Sequence, residues 1–401
     1  MSSLDEALAD ELRQLERAGL RRSLRRWVGP HGPWLELDGV RLASFSSNNY
    51  LGLAGHPALT RAAVSALERA GLGAGASRLI AGNHAEHEEL ERDLARFHAS
   101  PAALAFNSGF QANVGIIPVL VGPDDLILSD RLNHASLIDG CRLARARVLV
   151  YDHASPGHAN QLLAAHRHQA RRCLLVTESV FSMDGDRAPL ADLADLARRH
   201  DTWLMVDEAH ATGALGPGGR GISADQGVTP DVLVGTLGKA FGSFGAYAAG
   251  SQPLRDLLLH RARSFVFTTA LPPAVAAASR AALELAAGPE GARLRSDLQS
   301  RIDQFRDGLQ SRNLLAPRAG TTPIFPILIG EETTTLEAAR RLQAAAIHAQ
   351  PIRPPTVPRG TSRLRFALMA LHTPAQLDHV LTELTNLRQT NHLPPAPTPA
   401  P

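Results

Sequence analysis

The sequence predicts an α/β protein, with a large domain on a mostly parallel sheet followed by a smaller α+β domain. Three observations carry this reading. Short apolar runs alternate with helical stretches through the middle of the chain. That texture stops after about residue 272, where long Ala/Leu/Arg-rich helical sequence takes over. Asp207 and Lys239 each follow an apolar run, and open α/β sheets place their ligands beyond the carboxyl ends of their strands.

In chain order, residues 4–26 predict an amphipathic helix, with Leu4, Leu8, Leu12, Leu15 and Leu20 near helical spacing. The stretch 34–45 alternates loosely and suits a hairpin, and 58–70 suits a helix that ends in Gly71-Leu72-Gly73-Ala74-Gly75. Apolar runs at 102–106, 126–128, 147–151, 173–177, 203–206, 231–234 and 246–249 predict strands, with helical stretches at 112–120, 158–168 and 189–200 between them. Strands that are apolar throughout and joined by helices mean a parallel sheet covered on both faces. Helical sequence then runs from 272 to 312. Strands are expected at 324–329 and 363–368, a helix at 333–349 between them, and a last helix at 374–391. The expected organisation is an N-terminal helical segment (1–44), a large domain (45–271), a small C-terminal domain (272–392) and a Pro-rich tail (393–401). The tail's prolines cannot sustain backbone hydrogen bonding, so disorder is expected there.

With 401 residues, 44% apolar and 20% charged, the chain has the make-up of a globular enzyme with room for two domains. A net charge of +2 is too small to imply nucleic acid or an anionic membrane as partner. Arg21, Arg22, Arg25 and Arg26 form one basic cluster, read as a solvated face. Two cysteines, Cys141 and Cys173, give neither a disulfide framework nor a metal spacing and suit a reducing compartment. The start carries Asp5, Glu6, Asp10 and Glu11, which argues against an export signal. No run of about 18 apolar residues exists to span a membrane. The expected location is the cytoplasm.

The chemistry-bearing residues cluster after the predicted strands. Val206-Asp207-Glu208-Ala209-His210 closes one apolar run, and Thr236-Leu237-Gly238-Lys239 follows the next. An acid and an amine so placed suit pyridoxal 5′-phosphate. The amine can form a Schiff base with its aldehyde, and the acid can hold its ring nitrogen protonated. At about 3 Å and an effective dielectric near 20 the acid–pyridinium pair is worth roughly 5 kcal/mol, and half of that still exceeds one pK unit. Taken alone, Lys239 reads better as a salt-bridged lysine, and the surrounding sequence reverses that. His210 could reach the same ring or be a satisfied core histidine. Asp-Glu-Ala-His also spells a helicase box, but the phosphate loop that such a protein needs is absent: Leu233 stands at its first glycine and Ala240 follows Lys239.

Asn107-Ser108-Gly109-Phe110-Gln111-Ala112-Asn113 opens a helix, whose free N–H groups suit a phosphate or mark a plain cap. Thr236 could add a hydroxyl to the same phosphate. Gly71 to Gly75 follows a helix and lacks the third glycine of a nucleotide fingerprint, so a substrate-covering loop fits it better. In Asn133-His134-Ala135-Ser136, His134 could stack on a flat ring or cap a helix. His84 and His87 with Glu86 and Glu88 read as a solvated helix face, and no metal site is expected. Neither a Gly-x-Ser-x-Gly elbow nor a His-Glu-x-x-His motif occurs.

Together with Phe45-Ser46-Ser47-Asn48-Asn49-Tyr50-Leu51-Gly52-Leu53 and Ser179-Val180-Phe181-Ser182-Met183-Asp184-Gly185-Asp186, these strings make the chain from about 40 to 390 resemble the α-oxoamine synthases. These are pyridoxal-phosphate-dependent transferases of fold type I, the aspartate-aminotransferase-like fold. The resemblance implies that Lys239 bears the cofactor and moves the substrate Cα proton. Asp207 would face the pyridine nitrogen, His134 would stack on the ring, and His210 and Ser182 would bond the phenolic oxygen. Gly109 and Phe110 would lie at the phosphate and ring edge, with Thr236 on the phosphate. Thr268 or Thr269 would reach the phosphate of the partner subunit in a homodimer with active sites at the interface. Arg353 would hold the substrate carboxylate. Asn48 and Thr356 would join the substrate contacts, with an N-terminal arginine that is either Arg21 or Arg22.

Three strings resemble one branch of the family most. They are Asn107-Ser108-Gly109-Phe110-Gln111-Ala112-Asn113, Phe267-Thr268-Thr269-Ala270-Leu271-Pro272-Pro273 and, most specific, Ile352-Arg353-Pro354-Pro355-Thr356-Val357-Pro358-Arg359-Gly360-Thr361. That branch joins L-alanine to a pimeloyl thioester, either pimeloyl-CoA or pimeloyl-[acyl-carrier protein], with loss of CO₂, in biotin biosynthesis. The branch joining glycine to acetyl-CoA shares Ser47-Asn48-Asn49-Tyr50 and Asn133-His134-Ala135-Ser136, but the Arg353-Pro354-Pro355-Thr356 string argues against it. A catalytically silent relative, acting as regulator or subunit, is the reading from a different class, and the presence of Lys239 argues against it.

Overall fold

The computed structural model describes residues 3–393. The chain divides into two compact units. The larger holds Asn48–Ser182 and Asp186–Leu298; the smaller holds Met1–Ser47, Met183–Gly185 and Gln299–Pro401. Along the chain, strands β1 (Trp34–Leu37) and β2 (Val40–Ser44) belong to the smaller unit. The larger is built on β3 (Ala102–Phe106), β4 (Leu126–Asp130), β5 (Arg147–Tyr151), β6 (Cys173–Glu178), β7 (Trp203–Asp207), β8 (Val232–Thr236) and β9 (Ala246–Gly250). All seven apolar runs of the sequence are these strands. Their order in the sheet is β3-β9-β8-β7-β6-β4-β5. Strands β4 to β8 run parallel, and β9 lies antiparallel to both β8 and β3.

The sheet is covered by helices, and that packing explains the apolar runs. Ile116 and Ile117 of the helix Gly109–Leu120 and Leu137 of the helix Ala135–Ala144 share one core with Leu104, Ile127, Leu174 and Val234 of the sheet. Each such side chain contributes about 1.5–3 kcal/mol on burial. Cys141 lies in this core, and burial pushes its thiol up to about 12. Both cysteines are free and buried. No described helix is long and apolar enough to cross a membrane.

The division between units falls at Leu298 and Gln299, inside the helix Pro289–Gln310, whereas the sequence texture changes near 272. The helix Pro273–Ala287 packs on the helices Pro57–Ala70 and Ala85–Phe97, so it belongs with the larger unit. The N-terminal residues join the smaller unit through β2, which pairs in parallel with β11 (Ile347–His348). Composition marks where local texture changes, while contacts decide which surface is shared.

In the smaller unit the expected hairpin forms. β1 pairs antiparallel with β2 across Asp38 and Gly39, both at positive φ, as a two-residue hairpin turn requires. β10 (Ile324–Gly330) and β12 (Gln350–Ile352) flank β13 (Ser362–Ala367). Phe305, Phe325 and Phe366 form an aromatic core there, with ring centroids 5.1 and 5.8 Å apart. The last helix is Pro374–Gln389. Two helices stop earlier than their periodicity suggests. The first spans Ser3–Arg17 and not 4–26. Gly19 takes φ 65°, Leu20 N–H donates to Leu15 O and Gly19 N–H to Glu16 O, a Schellman closure that ends the helix whatever leucine follows. The second spans Glu332–Ala344 rather than 333–349. Beyond it Ala346 turns to φ 59° and Ile347 is drawn into β11, a pairing distant in sequence that overrides local propensity. Of the tail, Leu393 is buried, and 394–401 lie outside the described residues.

Candidate active site

The carboxyl ends of β6, β7 and β8 border a cavity of about 190 Å³, all within the larger unit. Glu178 and Asp207 are register partners at the ends of β6 and β7, so they stand side by side. Asp207 is buried, and two donors orient its carboxylate. Asn113 Nδ2 donates to Oδ2 at 2.8 Å, and Ala209 N–H donates to Oδ1 at 2.9 Å. Asn113 projects from the helix Gly109–Leu120 and also donates to Ser136 Oγ at 2.9 Å. Ser136 lies 2.8 Å from His134 Nδ1 through its hydroxyl and donates to the same nitrogen through its backbone N–H at 3.2 Å. That backbone bond leaves the imidazole proton on Nε2. Burial lowers the His134 pKa; Asp207 pulls it up and Lys239 pushes it further down. The ring stays neutral and apolar enough to lie against another ring.

Lys239 follows β8 after a tight turn. Thr236 builds that turn, because its hydroxyl donates to Gly245 O at 3.0 Å and accepts Gly238 N–H at 3.2 Å. Lys239 Nζ stands 2.8 Å from His210 Nε2. His210 Nδ1 is 2.6 Å from Tyr50 Oη, and Tyr50 donates to Asn48 Oδ1 at 3.2 Å. The proton order follows from the last bond. Tyr50 spends its only proton on Asn48, so it accepts from His210 Nδ1–H, and Nε2 is left to accept from Lys239. A chain of four side chains thus ends on the amine.

At the opposite border, Ser108 Oγ accepts Gln111 N–H at 3.2 Å and caps the helix beginning at Gly109. Gly109 and Phe110 line the cavity, and a Cβ at Gly109 would meet nothing within 4 Å. Asn107 Nδ2 donates to Thr269 O at 2.8 Å and to Thr268 Oγ1 at 3.4 Å, which ties that loop to the start of the same helix. Ser182 is buried in the hairpin after β6. Two buried oxygens that border this cavity have no partner, Asn113 Oδ1 and Glu178 Oε1. An oriented carboxylate, an amine, a helix N-terminus and unspent acceptors fit a group with a cationic ring, an aldehyde and a phosphate.

The family is decided by comparison with known proteins. A family model described as aminotransferase class I and II matches residues 41–384. The chain belongs to this family. An 8-amino-7-oxononanoate synthase of Geobacter sulfurreducens is 50% identical over 96% of this chain and 98% of its own length. One of Anaeromyxobacter sp. (strain K) is 48% identical over 96% of each. Among solved structures, a serine palmitoyltransferase from S. paucimobilis with bound PLP-myriocin aldimine matches with TM-score 0.90 and 28% identity, covering 97% of this chain and 99% of that one. The 8-amino-7-oxononanoate synthase of Francisella tularensis matches with TM-score 0.76 and 28% identity, covering 88% and 99%. This class I and II aminotransferase-family chain is an enzyme of the pyridoxal-phosphate-dependent acyltransferase kind, and pyridoxal 5′-phosphate is its cofactor.

The expected site residues fall into two sets. Lys239, Asp207, His134, His210, Gly109, Phe110 and Thr236 border one cavity of the larger unit. Asn48, Ser182, Thr268 and Thr269 lie in that unit as well. Arg353 and Thr356 lie in the smaller unit, as do both candidate arginines. Arg353 donates to Gly19 O. Arg22 donates to Thr356 Oγ1 at 3.2 Å and Pro354 O at 3.4 Å, while Arg21 pairs with Glu16 at 2.7 Å. Sequence reasoning did not single out Tyr50, Asn113, Ser136 or Glu178. Tyr50 and Asn113 stand inside motif strings, which is a usable signal. Ser136 also stands inside a motif string, beside His134, whereas Glu178 acts through contacts between distant segments, which no local pattern announces.

Proposed function

We propose that this enzyme condenses L-alanine with a pimeloyl thioester and releases CO₂ and free thiol, giving 8-amino-7-oxononanoate. The observation that carries the reading is identity of about half the residues over nearly the full length of relatives bearing that name. The similar solved structures bear the names of two different enzymes, serine palmitoyltransferase and 8-amino-7-oxononanoate synthase, so the shared fold leaves the substrate to be set by side chains.

When bound, pyridoxal phosphate supplies an electron sink for a carbanion at the amino-acid Cα. The protein's residues do the rest. Asp207, held by Asn113 and Ala209 N–H, presents a fixed negative charge to the ring nitrogen. His134 offers a ring face, and the first turn at Gly109 and Phe110 offers backbone N–H groups to the phosphate. Lys239 Nζ takes the Cα proton and returns it, and His210 Nε2 beside it orients the amine. Arg353 binds the carboxylate that will be lost, and Thr356 with Arg22 contacts the acyl chain. The active form is a cytoplasmic homodimer in this reading, in which Thr268 or Thr269 serves the partner's phosphate.

The test is thiol release by the cofactor-loaded protein with L-alanine, glycine or L-serine against pimeloyl-CoA, acetyl-CoA or palmitoyl-CoA. Release with L-alanine and pimeloyl-CoA is expected. Release with glycine and acetyl-CoA alone would replace the reading with the branch that joins that pair. Silence with every CoA ester but release from pimeloyl-[acyl-carrier protein] would keep the reaction and fix the donor.

A further inference from the structure

Glu178 is the least explained group bordering the cavity. Its side chain is buried at the end of β6, beside Asp207 on the neighbouring strand. The backbone N–H groups of His134 and Ser182 are directed at its carboxyl, yet Oε1 has no partner. Both N–H groups therefore fall to Oε2, and Oε1 is left buried and unspent on a residue that lines the cavity. The charged groups around it are Asp207, which opposes its ionisation, and Lys239, which favours it, with neutral His134 alongside.

We propose that Glu178 is an uncharged positioning residue, whose Oε2 accepts the backbone N–H groups of His134 and Ser182 and whose Oε1 hydroxyl donates a hydrogen bond to the cofactor–substrate assembly in the cavity. The geometry distinguishes the two oxygens. An oxygen that accepts two N–H groups has no room for a proton, so the proton sits on the other. Two carboxylates side by side in a buried place repel, and Asp207, with a donor on each oxygen, is better placed to keep its charge than Glu178, whose Oε1 has none. A neutral Glu178 leaves that charge undivided for the ring nitrogen. It also ties together two segments, one carrying the imidazole and one the Ser182 hydroxyl, that meet nowhere in sequence. Burial raises the Glu178 pKa, as does Asp207, in the direction this requires.

The hydrogen-bond acceptor rests on the reading of the cavity as the cofactor site, while the protonation state does not, so the two are tested apart. Infrared difference spectra of the resting protein, wild type minus Glu178→Gln, should show at neutral pH the carbonyl stretch of a protonated carboxylic acid, shifting on exchange into D₂O. Carboxylate bands in its place overturn the proposal, whatever the assay of thiol release returns. Cofactor titration is the second arm. Glu178→Gln keeps a neutral donor of the same shape and should hold affinity and absorption maximum. Glu178→Leu should weaken binding about fivefold to tenfold, the worth of one neutral hydrogen bond. Glu178→Gln binding as poorly as Glu178→Leu would overturn the donor role. Should Glu178→Leu fail to fold, the infrared band and the Glu178→Gln titration still decide.

Discussion

Glu178, Asp207 and Glu208 are buried acids at the carboxyl ends of the neighbouring strands β6 and β7, and the last differs from the first two in one respect. Every lone-pair direction of Glu208 is spent. Oε1 accepts Ser223 N–H at 2.6 Å and Ser223 Oγ–H at 2.5 Å; Oε2 accepts Ser179 Oγ–H at 2.6 Å and Ile222 N–H at 3.1 Å. The backbone crowds in so closely that a Cβ on Gly221, at φ 93°, would sit 2.6 Å from Oε2. Burial pushes the Glu208 pKa up, and these four donors pull it back. Across the strand, Glu178 Oε1 and Asn113 Oδ1 are buried and unspent. A buried polar atom without a partner costs about 1–3 kcal/mol, and a protein retains such a cost where a ligand can relieve it. At this sheet edge the fully satisfied acid holds structure, and the unspent oxygens belong to residues that line the cavity.

The largest effect belongs to the amine. Lys239→Ala should lower turnover by at least about 10³-fold, because both cofactor attachment and proton transfer are lost. The absorption of the bound cofactor should lose its Schiff-base band, while the melting temperature of the cofactor-free protein stays put. Retained turnover would remove Lys239 from the chemistry.

Next come the two acids, which test the comparison directly. Asp207→Asn keeps shape and loses charge, and Asn113, whose Oδ1 is unspent, can turn its amide to accept the new NH₂, so kcat/KM should fall on the order of 10²-fold with little change in unfolding free energy. Glu208→Gln should do the reverse. Each Glu208 oxygen faces a backbone N–H, so a new NH₂ group must oppose a donor on either side. A loss of about 2 kcal/mol of stability is expected, with activity per folded molecule preserved. Urea unfolding and single-turnover rates on the same preparations separate the two. Equal losses of activity would break the distinction between spent and unspent acids.

Sequence reasoning reached the strands because each is apolar on both faces, a pattern that survives any arrangement of neighbours. Asp207 and Lys239 were legible for a related reason: residues ending consecutive buried strands must emerge at one sheet edge. Glu178 ends a strand too, but nothing local separates it from Glu208, and the contrast between them lies in Ser223, Ile222, Ser182 and His134, all from other segments. The helix ends at Arg17 and Ala344 escaped for a similar reason, since one depends on φ at Gly19 and the other on pairing with β2.

A smaller effect is expected at His153, which bridges Asp130 Oδ1 at 3.0 Å and Asp186 Oδ2 at 2.8 Å and meets Phe181 edge-on at 4.3 Å. Burial opposes its charge, but the hydrogen bonds and charges of the two carboxylates prevail and raise its pKa from 6.5 to about 9. A folded-state pKa above the unfolded one gives stability that is complete below pH 6.5 and disappears as pH rises through about 9. Allowing for partial exposure, about 1–2 kcal/mol should be lost across that window. His153→Gln should flatten the slope, measured as unfolding free energy against pH. An unchanged slope would place the alkaline loss elsewhere.

The least effect is expected at the N-terminal arginines, where the same criterion applies to cations. Arg21 is neutralised by Glu16 on the surface, whereas Arg22 donates to two neutral oxygens, Thr356 Oγ1 and Pro354 O, and its charge is left for an anion. Arg22 also lowers the pKa of Arg353, after burial and against Glu332, so the two guanidiniums form one field that an anionic substrate would relieve. Arg22→Ala should therefore raise KM for the acyl thioester about fivefold to tenfold with kcat nearly unchanged. Arg21→Ala should change KM by less than about twofold, as surface ion pairs contribute little. A larger effect at Arg21 than at Arg22 would mean that Glu16 yields its partner when substrate arrives, and the distinction between spent and unspent groups would then fail for the exposed residues of the smaller unit.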